Sequence, residues 1–540
     1  MSGHSDKFIS SDQQQVNRSQ WLPLAGVLTF ALITRLLFFS GMFGSDDIVY
    51  LERSIDVATG TWSSANYNGA LRYGFNIPAG LLLHFFGVSE PTANLWPLFC
   101  SLAEIAVVYL LAVRLWGHRT AAYVALIMAS FPLHIAVATR IHADPVVCLF
   151  ITLSFCLFYL GEKSNRRRTY FLCGVAMGLV FWAKELAFIT VLPFLAYPLI
   201  FWRINLRWVY VIAGGALLFA LHLALMQWIA DDPLHLYKVV TGQISNALAS
   251  SQAADELPVY YYLKYLFFDV RHTWISCFFA IPILFVAATR RSLSTNIGQS
   301  ELYIIFWLVS LLIFLSLSPV SINPFRFVQK QSNYLTIFLA PIALLAGRQI
   351  ANIPKETSLV VMAIVVIGGV ALGALQQVDY RTFTSNSKAA VAFARAHTND
   401  WVIGSANNEN IAIIYSRIVG DTDLPARFYD YGVLAAQNRP GEGITQSADE
   451  GYLILDRQTM GWGAKAMPKL AYPLACWQSV ATLKPTGFGL GNTLLNGASA
   501  AFAVLPEALA VRLSEIANKL GQPQPATVYR VSKSNLLCQN

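Results

Sequence analysis

Long apolar segments recur through the first two thirds of the chain, and they constrain its fold more than any other feature. A helix that crosses a membrane needs roughly 20 mostly apolar residues. Segments of about that length lie at about 22–40, 92–113, 120–139, 144–161, 169–183, 186–202, 208–229, 273–289, 302–318, 332–347 and 357–375. The sequence therefore predicts a polytopic α-helical membrane protein with about 11 transmembrane helices.

Composition supports this fold class and excludes others. Charged residues make up 13% of the chain, whereas soluble domains carry about 25%. The 13% of aromatic residues and the 23 scattered prolines fit neither a disordered chain nor collagen nor a coiled coil. Seven cysteines in 540 residues are too few for a secreted domain held together by disulfides.

Lysine and arginine residues indicate the direction of the crossings, because short cytoplasmic loops carry an excess of them. With the N-terminus inside, every inner connection holds at least two cations, at Arg114/Arg119, Lys163/Arg166/Arg167/Arg168, Arg203/Arg207, Arg290/Arg291 and Arg348/Lys355. This predicts a cytoplasmic tail over 1–20, a transmembrane domain over 21–375 and an extracytoplasmic domain over 376–540. The expected location is the inner (plasma) membrane, with the last domain in the periplasm of a bacterium.

Three outer segments are long. The first, 41–91, is predicted to hold a surface helix from Ser45 to Ala58 and an amphipathic stretch over 77–86. The second, 230–272, is rich in tyrosine and phenylalanine, whose rings prefer the membrane interface. The third, 376–540, is long enough for one soluble domain.

This third segment alternates strand-like and helical runs, which predicts a small α/β or α+β domain. The predicted strands lie at 401–404, 452–456 and 527–531, and the predicted helices lie at 387–396 and 506–520. Cys476 and Cys538 could pair there in an oxidising compartment. The glycines that begin at Gly487 are interpreted as turn residues, because a dinucleotide-binding motif needs a strand–turn–helix setting.

Charged residues beside the spans form the candidate functional site, since charge near the bilayer is expensive and tends to mark function. The predicted sidedness places one group on the outer face, where the loop-charge rule does not explain it: Asp46, Asp47, Arg140, His142, Asp144, Lys184, Glu185, Arg326 and Lys330. Arg35 lies inside the first predicted span and needs a partner, for which Asp46 and Asp144 are candidates.

Structural alternatives exist for most of these residues. Ser45 or Asp46 could cap a helix, and Asp144 could cap the helix that begins at the following proline. Lys184 and Glu185 could pair with each other.

The remaining cations and the histidine also have two interpretations each. Arg326 and Lys330 could extend to the interface as snorkelling cations, or they could join Tyr334 in a site for a lipid phosphate. His142 with two acids could ligate a metal, although it lacks ligand spacing.

The order of these elements resembles the GT-C glycosyltransferases over about residues 20–350. The acid pair and tyrosine at 46–50 resemble the family's Asp-Glu-x-x-Tyr element, and Leu-Arg-Tyr-Gly at 71–74 resembles the rest of its first outer loop. Asp-Pro at 144–145 is similar to the second acidic element, and 334–345 resembles a late span. The nearest branch is the protein mannosyltransferase and lipid A aminoarabinose transferase group.

The resemblance implies an inverting integral membrane glycosyltransferase, which is a hexosyl- or pentosyltransferase. Such enzymes take a sugar from a polyprenyl-phosphate donor on the outer face and pass it to a hydroxyl of a lipid, glycan or protein. Asp46 or Asp47 would be the base, and Asp144 would orient the acceptor or share that role. The sequence has Asp at the second acid position rather than the commoner Glu, which leaves open which carboxylate is the base.

The same resemblance assigns the other site residues to substrate binding. The departing phosphate would be stabilised by cations, nominated as Arg326, Lys330, Arg140 and Lys184. The further substrate-binding candidates are Arg72, Tyr73, His142, Glu185 and Tyr334. Some members of the family use a divalent metal, so a metal is possible here. The expected partners are the donor, the acceptor and membrane lipids, with no nucleic acid.

Two other functions remain open. A flippase or transporter of lipid-linked sugars often shows repeat-related halves and interrupted midplane helices, whereas this chain has an odd span count and polar residues at one surface. A non-catalytic scaffold for envelope assembly would tolerate loss of the carboxylates.

Overall fold

A computed structural model describes residues 21–540, apart from 43, 186, 250–256, 290–297, 324, 438–439, 460–472, 484–492, 498–499, 501–505, 508–509, 512–523, 535, 537 and 539–540. The predicted tail over 1–20, the glycines from Gly487 and most of the predicted helix over 506–520 lie outside the described residues.

The helices of the first half run from the start of the described chain to the outer aromatic segment. They are α1 Leu22–Leu37, α2 Asp46–Thr59, α3 Tyr73–Phe86, α4 Glu90–Trp116, α5 His118–Ser130, α6 Pro132–Ala138, α7 Asp144–Ser164, α8 Arg167–Ala183, α9 Ala187–Phe201, α10 Val209–Ala230, α11 His235–Ala249, α12 Tyr261–Phe267 and α13 Val270–Thr273.

The second half adds further helices and all the named strands. The helices are α14 Ile281–Thr289, α15 Gln299–Leu317, α16 Leu339–Ala351, α17 Lys355–Ala396, α18 Ala406–Val419, α19 Leu424–Arg427 and α20 Tyr431–Ala435. The strands are β1 Pro319–Ile322, β2 Phe325–Phe327, β3 Val402–Gly404, β4 Phe428–Asp430, β5 Glu450–Leu455, β6 Gln478–Leu483 and β7 Ala526–Ser532.

Each predicted span coincides with helix, but the helices differ in length. Six helices of the described chain are long and apolar enough to cross a membrane, and α5 with α6 forms a seventh candidate. The other predicted spans match α1, α8, α9 and α14, which have 16, 17, 15 and 9 residues. The protein is therefore a polytopic membrane protein, and the count of eleven spans stays a prediction.

The predicted span over 120–139 is not one straight helix, because α5 and α6 meet at an angle of 61°. Phe131 separates them with an extended backbone, at φ −57° and ψ 124°. A residue before proline is disfavoured in the helical conformation, and Pro132 follows directly. The break therefore has a local cause.

Glycines allow α8 and α10 to pack with their backbones in contact. A Cβ atom on Gly174 would overlap the carbonyl oxygen of Val211, and a Cβ on Gly214 would overlap that of Phe171. Apolar burial does not drive helix association in lipid, so close backbone approach contributes more there.

Cation-rich connections meet at one end of the helix bundle. Glu301 at the start of α15 accepts hydrogen bonds from Trp116 at the end of α4 and from Arg348 near the end of α16. Arg119 of α5 donates to Ser358 of α17. The charge rule assigns this end to the cytoplasm, and that orientation stays a prediction.

The C-terminal part of the chain forms a five-stranded sheet in the order β4-β3-β5-β7-β6. β3 pairs in parallel with β4 and β5, and β7 runs antiparallel to β5 and β6. The three predicted strands coincide with β3, β5 and β7. Cys476 and Cys538 form a disulfide beside this sheet.

One continuous helix connects the last predicted span to the sheet. α17 has 42 residues and contains both the span over 357–375 and the predicted helix over 387–396. The predicted domain boundary at 376 therefore falls inside a helix. α17 belongs both to the membrane part of the chain and to the part that carries the sheet.

Candidate functional site

Asp46 is a partly exposed carboxylate at the first residue of α2, with 42% of its side chain accessible. The hydroxyl of Tyr67 donates a hydrogen bond to its Oδ1 at 2.6 Å. Its Oδ2 lies 3.6 Å from Nη1 of Arg72. This carboxylate is held in position and remains accessible to a substrate.

Asp47 has a different environment and is only 3% exposed. Its two oxygens accept the backbone N–H groups of Gly44 and Ser45 at 3.0 and 2.6 Å. Ser45 makes no side-chain cap, so the predicted capping of α2 by Ser45 or Asp46 is wrong. Asp47 instead fixes the loop that precedes the helix.

Arg72 links the loop between α2 and α3 to the connection between α8 and α9. Its Nη2 and Nε lie 2.9 and 3.3 Å from the Glu185 carboxylate, and its Nη1 donates to the hydroxyl of Tyr50. Asn68 donates to the same carboxylate at 2.9 Å. Burial would raise the pKa of Glu185, but the Arg72 guanidinium more than offsets this and holds that pKa below its usual value. Burial raises the pKa of Tyr50 to about 12, so this tyrosine stays neutral.

Lys184 turns away from Glu185 and binds Asp144. Its Nζ lies 2.8 Å from Oδ1 of Asp144 and 4.5 Å from the centre of the Tyr334 ring. The alternative in which Lys184 pairs with Glu185 is therefore wrong. Capping of α7 by Asp144 is also wrong, because the N-cap residue is Ala143 and no side chain caps the helix. Burial would lower the pKa of Lys184, but the Asp144 carboxylate outweighs it and the pKa is raised.

His142 connects this ion pair to the residues around Asp46. Its Nδ1 lies 3.1 Å from Oδ2 of Asp144, and its ring meets the ring of Tyr50 edge-on at 6.5 Å between centroids. The whole connected set is called the acid–cation cluster: Asp46, Tyr50, Tyr67, Asn68, Arg72, His142, Asp144, Lys184, Glu185 and Tyr334.

Tyr67 and Asn68 belong to this cluster although the sequence analysis did not select them. Tyr67 precedes the short helical turn Asn68–Leu71, which leads directly into Arg72. Neither residue lies in a recognisable motif. Their only signal in the sequence is that they lie within five residues of Arg72, between α2 and α3.

Tyr73 and Arg140 have other neighbours. The Tyr73 ring stacks on Trp62 at 6.0 Å, within an apolar cluster. Arg140 donates to the carbonyl of Ala136 at 2.9 Å, and its guanidinium lies 3.6 Å from the centre of the Tyr380 ring. Their predicted substrate-binding roles stay predictions.

Arg326 and Lys330 lie in and after the β1–β2 hairpin. Arg326 is on β2 opposite Ser321. Lys330 is buried and donates to the carbonyl of Leu257 at 3.2 Å. Its Nζ lies 5.0 Å from the centre of the Phe327 ring. Lys330 therefore does not simply extend into water. The lipid-phosphate role of this pair stays a prediction.

Arg35 has its partners within the membrane domain. Its Nη2 lies 2.6 Å from Nδ1 of His134, whose Nε2 lies 3.1 Å from the Glu104 carboxylate. The predicted partners, Asp46 and Asp144, are wrong. These three fully buried side chains are called the Arg35 network.

No group of three or more His, Cys, Asp and Glu side chains that could hold a metal occurs among the described residues. His142 faces Asp144, and the other oxygen of that carboxylate binds Lys184. The alternative of a metal site at His142 therefore lacks a ligand set in the described part of the chain.

The fold and the acid–cation cluster define a class, a polytopic membrane protein whose acids and bases meet at one end of its helices. Residues 77–228 match the family described as dolichyl-phosphate-mannose-protein mannosyltransferase. Two relatives are named undecaprenyl phosphate-α-4-amino-4-deoxy-L-arabinose arabinosyl transferase. The one from Enterobacter sp. (strain 638) is 25% identical over 349 residues, and the one from Pseudomonas fluorescens is 27% identical over 350. Each alignment covers 61% of this chain and 60% of the relative.

Solved structures show the same fold. ArnT from Cupriavidus metallidurans in the apo state matches with a TM-score of 0.55 and 18% identity, over 85% of this chain and 95% of that chain. The Archaeoglobus fulgidus oligosaccharyltransferase, solved with Zn and sulfate, matches with a TM-score of 0.52 and 11% identity. That match covers 94% of this chain and 88% of the oligosaccharyltransferase chain. The chain therefore has the fold of these two transferases and is similar in sequence to the arabinosyl transferases, and its membership of the GT-C superfamily stays a prediction.

Proposed function

We propose that this protein transfers a sugar from a polyprenyl-phosphate-linked donor to an acceptor hydroxyl at the outer face of the membrane. The observation that carries the proposal is the acid–cation cluster, where the accessible carboxylate of Asp46 lies 3.6 Å from the Arg72 guanidinium. The names of the matching family and relatives specify lipid-phosphate sugars, which supports the donor class.

Asp46 is the base in this proposal. The acceptor hydroxyl attacks the anomeric carbon, Asp46 takes its proton, and the bond from that carbon to the phosphate oxygen breaks with its electron pair on the phosphate. A single displacement of this kind inverts the anomeric centre. Asp47 is a poorer candidate because both of its oxygens bind backbone N–H groups.

The cations stabilise the charge that remains on the departing phosphate. Arg72 is placed for this role beside Asp46, and Lys184 contributes positive charge deeper in the cluster. Arg326 and Lys330 provide a second group of cations, and Lys330 lies four residues before Tyr334 in the cluster. Asp144 is held by Lys184 and orients the acceptor through this fixed position.

Eleven spans, an outward-facing cluster and an extracytoplasmic sheet domain over 376–540 are part of the same proposal. The acid–cation cluster draws on the connections that the charge rule places outside, and the contacts of Glu301 join the connections that it places inside. The location is the inner membrane. The acceptor is a lipid, glycan or protein that carries a free hydroxyl.

The test uses the full-length protein in nanodiscs with undecaprenyl-phosphate-linked aminoarabinose or mannose and an envelope lipid extract. Asp46→Asn should lower the rate of undecaprenyl phosphate release by about 100-fold or more, with an unchanged thermal midpoint. Asp232→Asn is the matched control, since Asp232 is an acid of the outer face that pairs with the exposed Lys238. It should react at the wild-type rate.

Two outcomes would reject the assignment. Full activity in both Asp46→Asn and Asp47→Asn would show that neither carboxylate is the base. Movement of the lipid-linked sugar across liposomes without any product would favour a transporter.

A further inference from the structure

The connection from α1 to α2 is fastened by residues that lie far along the chain. Gln377 donates to the carbonyls of Leu37 and Phe39 at 3.3 and 3.1 Å, and Arg381 donates to the Phe39 carbonyl at 2.6 Å. Both donors belong to the extension of α17 beyond its apolar part. This connection carries Asp46 at its end, so its position matters for the proposed reaction.

Glu90 fastens the middle of the same connection. Its carboxylate accepts the backbone N–H of Met42 at 2.8 Å. Lys388 of α17 and Tyr415 of α18 bind that carboxylate at 2.9 and 2.5 Å. Glu90 therefore joins the loop to two C-terminal helices.

Asn407, at the start of α18, holds the last part of the connection. It is fully buried and donates to the carbonyl of Gly44 at 3.1 Å, while the N–H of Gly44 binds Asp47. Gly44 has φ +89°, and a Cβ atom there would overlap the Asn407 amide. The loop before α2 therefore packs closely against the start of α18.

A buried polar network supports Asn407 from the sheet. Ser387 donates to Asn407 at 2.7 Å and accepts from Asn408, which caps α18 together with Ser405. The hydroxyls of Ser405 and Thr459 lie 2.6 Å apart, and Thr459 donates to Asp456 at the end of β5. A satisfied polar network in a buried setting is rigid. The sheet therefore fixes Asn407 in place.

Arg417 of α18 makes a second contact, with α2 itself. Its Nη2 lies 2.7 Å from the Asp56 carboxylate, and its Nη1 lies 3.9 Å from that of Glu52. α18 thus holds both the loop before α2 and the body of the helix that begins with Asp46.

We propose that α18 is a positioning element of the transfer site, and that Asn407 and Arg417 set the location of the Asp46 carboxylate. This inference rests on the proposed function. The two side chains contact the loop and the helix, so they act through the placement of the base. The extracytoplasmic domain then contributes to the placement of the base through α18.

The experiment compares Asn407→Ala and Arg417→Ala with wild type in the nanodisc assay described above, with the same undecaprenyl-phosphate-linked sugars. Each variant should lower kcat by about 10- to 100-fold, because small displacements of a catalytic group are costly. KM for the donor should stay within about twofold, since the donor-binding cations are untouched. Arg417→Lys keeps the ion pair and should recover most of the rate.

Hydrogen exchange gives a second readout that needs no substrate. Amides over 44–51 should exchange about tenfold faster in both alanine variants, because the loop loses its hydrogen bond to Asn407 in one and α2 loses its ion pair with Arg417 in the other. Arg530→Ala is the matched control, since the exposed Arg530 of β7 pairs with Glu450 of β5 in the same domain. It should change neither kcat nor exchange. Arg417 is partly exposed, so its variants test the proposal even where Asn407→Ala fails to fold.

The outcomes separate the two proposals. Unchanged exchange over 44–51 in Arg417→Ala, or faster exchange with wild-type kcat, would overturn the positioning role. Retained activity in Asp46→Asn would overturn the proposed base, and the exchange measurement would still decide whether α18 holds α2.

Discussion

Asp46 and Asp47 are adjacent in sequence, yet their side chains have opposite surroundings. One is 42% exposed beside a guanidinium and a phenol, and the other is 3% exposed and bound to two backbone N–H groups. A helix turns by about 100° per residue, so neighbouring side chains point in different directions. The acid pair was predictable from the sequence, but the different surroundings of its two members were not.

Glu185 gives a prediction at the residue scale, through the pH dependence of stability. Its pKa is lowered in the folded protein because Arg72 outweighs burial. The unfolded pKa is about 4.3, so this contribution to stability is fully present above that pH. It is lost as the pH falls through the lower folded pKa. The thermal midpoint of Glu185→Gln should therefore lie below wild type at pH 7, and the two should converge below about pH 4.

Tryptophan fluorescence in detergent between pH 3 and 7 measures these midpoints. Glu356→Gln is the control, because Glu356 is exposed and should match wild type throughout. A difference between Glu185→Gln and wild type that stays constant with pH would show that the ion pair with Arg72 contributes nothing.

At the scale of elements, the Arg35 network holds the bent pair α5 and α6. Arg35 of α1 donates to the carbonyl of Ala129 at 3.2 Å, next to the break that precedes Pro132. His134 lies on α6, and Glu104 lies on α4. The network thus fixes the bend after which the chain reaches His142 and Asp144.

Arg35→Met should destabilise the protein by about 3–5 kcal/mol, because it leaves Glu104 and His134 buried without their cation. Unfolding in detergent mixtures, followed by circular dichroism, measures this loss. Arg271→Met is the matched control, since Arg271 is an exposed cation paired with Asp269, and its loss should cost about 0–1 kcal/mol. Equal stability of the two variants would refute a structural role for the network.

At the scale of the whole molecule, we expect reduction of the disulfide to change the stability of the sheet but not that of the helix bundle. Cys476 and Cys538 are 62 residues apart, and their bond closes a loop that contains β6 and β7. Reduction should destabilise the sheet by about 2–5 kcal/mol and should leave the bundle unchanged. The five free cysteines of the described chain are buried in the helical part.

Limited proteolysis with and without reductant measures this effect, with fragments assigned by mass. The double variant Cys476→Ser/Cys538→Ser should already show the reduced pattern and should not respond to reductant. Identical cleavage of wild type in both conditions would contradict the prediction.

The sequence by itself determined the membrane class, the position of each helix in the predicted spans, three strands of the sheet and most members of the acid–cation cluster. These features depend on local periodicity and on the cost of charge near lipid. Both can be read from a short stretch of sequence. The bend within the predicted span over 120–139 was not predicted, because hydropathy does not record the direction of a helix. Pro132 was a local signal for it.

Only the tertiary structure decided which charges pair. Arg35 could have bound Asp46 or Asp144 but binds His134, and Lys184 binds Asp144 although Glu185 is its neighbour in sequence. Every cation near lipid needs a partner. In the sequence alone, several acids are equally good candidates for that partner. Coulomb energy depends on distances between segments far apart in the chain, and those distances exist only once the helices and the sheet have packed together.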